Sequence, residues 1–151
     1  MANWFVDLPI DPGAWFERLP DPPRGVRRFH PLDLHATIAF FGPVGEEAAR
    51  RGFDALAWDL PALEVTLGEV VPMGSPRHPS AYSALMRSGR ERVEASMGPA
   101  RARACGAAGA KLDPRPPKAH VTLARPGRDA SAAVRAEGQR WPAVPPAENT
   151  M

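Results

Sequence analysis

The sequence predicts a single α+β domain made of two similar lobes, and three observations carry that expectation. Nineteen Pro and thirteen Gly in 151 residues imply many turns and short elements, which favours sheet over a helical bundle. Strand and helix patterns alternate as β-α-β-α-β-β-α-β, and a motif, a helix and a strand recur in each half. A chain of this length buries one real core but not two independent modules.

The elements follow in order. "NWFVDLPI" reads as a first strand, with aromatic and β-branched residues ended by Pro9. Asp11 and Pro12 then serve as N-cap and first residue of a short helix carrying Trp15, Phe16 and Leu19. "LPDPPRGVRRFHP" has the Pro content of an ordered loop, which brings Arg24, Arg27, Arg28 and His30 toward the next strand, "LDLHATIAFFG". "EEAARRGFDALAW" is a helix with Ala49, Phe53, Leu56 and Ala57 at helical spacing and two Glu at its positive end.

"LEVTLGEVV" alternates as a strand, and "SAYSALM", beyond the loop "PMGSPRHP", is its hairpin partner. Residues 88 to 108 suit a helix interrupted at Gly98-Pro99, and "KLDPRPPKAHVTLAR" is a loop leading into the last strand of this pattern. A short helix is expected over residues 129 to 138, and the tail "RWPAVPPAENTM" reads as irregular.

Composition narrows the classes. The apolar fraction of 44% and charged fraction of 24% match soluble globular chains rather than disordered ones. A net charge of +2 leans only slightly toward anionic partners. Cys105 has no second thiol for an internal disulfide or a metal clip. No apolar run approaches the ~20 residues of a membrane span, and the first residues lack a basic head followed by an apolar block, so a cytoplasmic protein is expected.

Function is suggested by a repeat. "LHATIAFFG" and "KAHVTLARP" both contain His, any residue, Thr, an aliphatic residue and Ala, in a chain with four His and four Thr. On a strand, alternate side chains share a face, so His35 projects with Thr37, and His120 with Thr122. Strict alternation sends Phe40 to the core and puts Arg125 opposite His120, so Arg125 reaches the site only if the strand twists or ends there. Two imidazoles, with an unperturbed pKa near ~6.5, suit in-line displacement at phosphorus, one taking a proton and one giving it. Each Thr hydroxyl can donate to a non-bridging phosphate oxygen. This chemistry calls for no metal and no cofactor. His30, His78 and Thr66 have no such pattern and read as structural; Tyr82 and Trp4 are aromatic candidates for stacking on a base whose more ordinary fate is packing.

"HATIAF" and "HVTLAR" resemble the paired motifs of the two-histidine (2H) phosphoesterase superfamily, in particular its RNA 2′,3′-cyclic phosphodiesterase or 2′-5′ RNA ligase branch. The resemblance runs from residue 3 to about residue 126, through "WFVDLPI", "PLDLHATIAFFGPV", the central hairpin and "PPKAHVTLARP". It implies a bilobal α+β fold with two antiparallel sheets, helices outside and a groove between. It also implies hydrolysis of 2′,3′-cyclic phosphate ends of RNA to 2′-phosphates, with 2′-5′ ligation as the reverse reaction. Carried over by position, the catalytic pair is His35 and His120, and the substrate-binding residues are Thr37, Thr122 and Arg125.

The tail departs from that family, whose members continue into a final strand. Either it packs differently, or the chain is shorter than its relatives, or one lobe has an open edge through which a second copy could pair; otherwise a monomer is expected. Rival readings keep the site and change the substrate to a small cyclic phosphate or cyclic nucleotide, or keep RNA binding without turnover. A metal hydrolase using the four His lacks the close ligand spacing such sites show.

Overall fold

The computed structural model describes residues 2–11, 13–75, 77–141 and 147–150. Its elements are β1 (Trp4–Pro9), α1 (Gly13–Glu17), β2 (Val26–Arg28), β3 (His35–Gly42), α2 (Glu46–Asp54), β4 (Glu64–Ser75), β5 (His78–Met86), α3 (Arg90–Ala108), β6 (His120–Pro126), α4 (Ala132–Gln139) and β7 (Ala147–Thr150). They form two antiparallel sheets, β1-β3 and β2-β6-β5-β4-β7. The α+β fold with two antiparallel sheets is therefore as expected. β3 and β6 lie against each other between the sheets without sharing a ladder, which brings the two His-x-Thr segments together.

One helix holds the halves in register. Val93, Met97, Ala100, Ala104 and Ala108 of α3 are all buried, and their spacing of three and four residues makes one stripe. Val93 and Met97 enter the core over the larger sheet, whereas Ala100, Ala104, Cys105 and Ala108 enter the core of β1, β3 and α2. The helix runs unbroken through Pro99, contrary to the sequence reading. Proline costs the N–H that would meet the carbonyl of Ala95, but the preceding Gly98 has no Cβ to crowd the ring. α2 packs closely on α3 through Gly52, where a Cβ would lie 2.6 Å from Phe41 and 2.9 Å from the Ala104 carbonyl oxygen.

Other sequence expectations need correction. The Pro-rich loop contains β2, whose three residues pair with β6; so short an edge strand is invisible to pattern. Phe53 is 62% exposed, since the face of α2 that packs inward is the one with Ala49 and Gly52; the helix ends at Asp54, and Ala57 takes a positive φ. β4 and β5 continue almost to the hairpin tip, pairing Ser75 with His78, so much of the expected loop is strand. The Asp11 carboxylate accepts the Gly13 N–H, while Pro12 lies outside the described residues.

The tail is not irregular throughout. Ala147–Thr150 pairs with β4 from Glu64 to Leu67 and covers that edge, while residues 142–146 lie outside the described set. Trp141 before them is buried and donates through Nε1 to the Pro20 carbonyl at 3.1 Å. α4, capped by the Ser131 hydroxyl, packs on β5, β2 and β6. The buried Tyr82 hydroxyl donates to the Arg135 carbonyl at 2.8 Å; a Cβ on Gly138 would overlap that ring. Among the described residues no helix is long and apolar enough to cross a membrane.

Candidate active site

The repeated phrase is longer than His-x-Thr for a reason visible in the ladders. One step along β1, from Asp7 to Val6, crosses two steps along β3, from Thr37 to Ala39. One step along β5, from Ser83 to Tyr82, likewise crosses from Thr122 to Ala124 on β6. Each motif strand thus carries a β-bulge just after its Thr, and a bulge resets which face later side chains occupy. The burial sequence is identical over both motifs: His and Thr half-buried, the residue between them and the next two buried, the sixth exposed. Ala39 and Ala124 are the small side chains that pack beneath the bulges, almost fully buried.

Two assignments change as a result. Phe40 is 57% exposed and lines a hollow with Thr37 and His120, where strict alternation sent it to the core. Arg125, at the matching position of β6, returns to the face of Thr122. It pairs with Arg27 of β2 and lies over the Phe29 ring, 5.7 Å from its centroid.

The two histidines are held alike. Nδ1 of His35 is 2.7 Å from the Asp33 carbonyl oxygen, and Nδ1 of His120 is 2.6 Å from that of Lys118. A carbonyl oxygen only accepts, so each ring carries its hydrogen on Nδ1 and keeps the lone pair of the neutral form on Nε2. Backbone clamps fix the chain just before each ring. Ile10 donates to the Leu34 carbonyl at 3.0 Å. Ala119 donates to the Glu94 carboxylate at 3.1 Å and accepts from Met86.

Their surroundings differ. His35 stacks on Phe5, with centroids 5.1 Å apart, and its Nδ1 is 3.8 Å from the Asp7 carboxylate. His120 is pushed below the ordinary imidazole range, first by burial and then by the charges of Lys118 and His35, against the opposing pull of the Lys118 carbonyl. At neutral pH it is therefore a neutral ring.

Thr122 Oγ1 is 3.1 Å from Ser83 Oγ, its partner across the ladder. Ser83 is fully buried, and sequence reading missed it because a Ser between Tyr82 and Ala84 carries no pattern of its own. Asp7 and Glu94 were missed for the same reason: only the fold brings them to the motifs. His30 instead caps the turn Pro31–Asp33 by accepting the Leu32 N–H on Nδ1, and His78 pairs at the hairpin tip.

Two hollows flank the motifs. One of about 420 Å³ combines Thr37, Ile38 and Phe40 of β3 with His120 of β6, Met73 of the hairpin, Arg101 of α3 and the loop before β6. Another of about 600 Å³ contains His35, Phe5, Asp7, Arg27 and Phe29. Both are of nucleotide-binding size. A third, between β1 and α2, holds Trp4 and Phe53 and neither histidine. Tyr82 is core, so of the two aromatics considered from sequence neither lines the motif hollows. Among the described residues, no group of three or more His, Cys, Asp or Glu is arranged to hold a metal ion.

No family model and no curated protein matches the sequence. Solved structures do match in fold. E. coli LigT complexed with 3′-AMP superimposes with a TM-score of 0.63 at 18% identity, over 95% of this chain and 84% of that one. A protein described as a phosphoesterase gives 0.58 at 24% identity, over 78% and 65%. TT0787 of Thermus thermophilus gives 0.52 at 23% identity, over 83% and 66%, so the chain spans about two thirds of the last two. At these identities the likenesses show that the chain shares the fold of those three structures.

Proposed function

We propose that the protein is a phosphoesterase that opens 2′,3′-cyclic phosphate ends of RNA to 2′-phosphates. The observation that carries this reading is the shared hollow: Thr37 of one motif and His120 of the other line the same space, with His35 two residues from Thr37 on β3. The resemblance of both motifs to the cyclic phosphodiesterase branch, and LigT's complex with 3′-AMP, support a nucleotide as substrate.

The reaction follows from the two rings. His120, neutral near pH 7, accepts a proton on Nε2 from a water that attacks phosphorus. The bond from phosphorus to O3′ breaks in line, and protonated His35 delivers its Nε2 proton to that oxygen. The products are a 2′-phosphate and a free 3′-hydroxyl. The Asp7 carboxylate, 3.8 Å from His35 Nδ1, lies where it offsets the charge of an imidazolium. Thr37 and Thr122 donate to the non-bridging oxygens. The Thr122 hydroxyl is held by Ser83 Oγ at 3.1 Å, and when Ser83 is the donor of that bond the Thr122 hydrogen is left for phosphate. Arg125 adds a cation on the same face. Run in the same direction with a ribose 5′-hydroxyl in place of water, these steps break the bond to O3′ and form a 2′-5′ linkage.

The test is hydrolysis of an oligoribonucleotide ending in a 2′,3′-cyclic phosphate, with the product's phosphate position read by ³¹P NMR. A 2′-phosphate is expected, and a 3′-phosphate or no turnover would count against the reading. The acidic limb of kcat/KM reports the His120 base, so it should lie below the ~6.5 of a free imidazole. Lys118→Met removes a positive charge that disfavours the imidazolium, so the His120 pKa rises and that limb moves to higher pH. An unmoved limb would take the base role from His120.

A further inference from the structure

The hollow that contains His120 continues past it into a basic corner that the hydrolytic steps do not use. Arg101, Arg115 and Lys118 line it together with Asp113. Asp113 is committed to Arg115: its carboxylate takes Arg115 Nε at 3.0 Å and a terminal nitrogen at 2.6 Å, and the Arg115 backbone N–H at 2.9 Å. Those bonds hold the Asp113 carboxyl well below the usual carboxylate range. Among the described residues no carboxylate pairs with Arg101 or Lys118.

Arg101 donates one terminal nitrogen to the Arg115 carbonyl at 2.7 Å, while its Nε is buried without a hydrogen-bond partner. Three cations against one carboxylate leave this corner positive. The loop presenting it, Asp113 to Lys118, contains Pro114, Pro116 and Pro117. Ring constraints at those positions spare much of the entropy of ordering a binding loop. Beside it stand the exposed Phe40 ring and Met73, an apolar surface suited to a sugar or base.

We propose that Arg101, Arg115 and Lys118 form a second anion site, which takes a 5′-phosphoryl group on the nucleoside whose 2′,3′-phosphate reacts. The preferred substrate is then a 5′-phosphorylated nucleotide, as every nucleotide at the 3′ end of an RNA strand is, and not a bare nucleoside cyclic phosphate. This rests on the reading of the His-x-Thr segments as the phosphate site. It adds to that reading a reason for discrimination.

Calorimetric titration at about pH 8, where ordinary imidazoles are neutral, separates the two ideas. The probes are adenosine 2′-monophosphate and adenosine 2′,5′-bisphosphate. The bisphosphate should bind about tenfold more tightly or better at low salt, and that ratio should shrink as salt rises. In the Arg115→Ala/Lys118→Met double variant, whose substitutions lie on an exposed loop, the ratio should fall to about threefold or less. Equal affinity for the two nucleotides, or a ratio unchanged in the double variant, overturns the second site. Weakening of the monophosphate by Thr122→Val alongside that result leaves the catalytic reading standing. Failure of both nucleotides to bind removes both ideas together.

Discussion

Either His35→Ala or His120→Ala should lower kcat/KM on a 2′,3′-cyclic phosphate by roughly 10²- to 10⁴-fold, the range of general acid-base catalysis. The fold should survive each change, because both rings are only half-buried and the hydrogen bonds that hold them are made by their own side chains to neighbouring carbonyls. Circular dichroism and melting temperature check this. His120→Ala should also abolish the acidic limb of the pH profile, which that ring sets. The double variant should be little worse than the poorer single one, because acid and base act in the same transition state. A near-normal rate in either single variant would refute the two-imidazole mechanism.

The threonines carry the second large effect. Thr37→Val and Thr122→Val keep the β-branched shape and strand preference while removing one donor to the phosphate oxygens. A lost oxyanion donor costs roughly 10²- to 10³-fold in kcat, and a loss of about 10²-fold is expected for each. The two should part in stability. Thr122→Val leaves the buried Ser83 hydroxyl without its partner, a cost of about 1–3 kcal/mol for an unmet buried polar group. Among the described residues Thr37 has no comparable buried partner, so Thr37→Val should melt close to wild type. Thr122→Ser, which restores the hydroxyl, should recover most of the rate. Denaturant titrations beside steady-state kinetics check both halves, and activity close to wild type in both Val variants would remove the threonines from the site.

The candidate site was legible in the sequence where single residues in a fixed local pattern mark it. His-x-Thr on a strand puts both side chains on one face whatever surrounds it, and two copies suggest one shared site. The bulges were not legible, because an extra residue in a strand is defined only against its partner. Strict alternation therefore misplaced Phe40, although the shared Ala at the fifth position of both motifs marks the bulge in retrospect. α3 was read as broken at Pro99 because local propensity disfavours proline; packing of five apolar positions against two cores overrides it. β2 and β7 were missed because each is a short edge strand whose residues lack alternation and find their partners far along the chain. Asp7, Ser83 and Glu94 belong to the same class: nothing local distinguishes them, and only the assembled sheets and α3 bring them beside the motifs.

Whether one phosphate lies between two imidazoles from distant strands can be read from ¹⁵N NMR of the histidine rings during titration with adenosine 2′-monophosphate. The Nε2 resonances of His35 and His120 should both move, with a single midpoint and one nucleotide per protein, while those of His30 and His78 stay in place. Movement of only one of the motif rings, or of the two with different midpoints, would mean that the motifs do not share a phosphate.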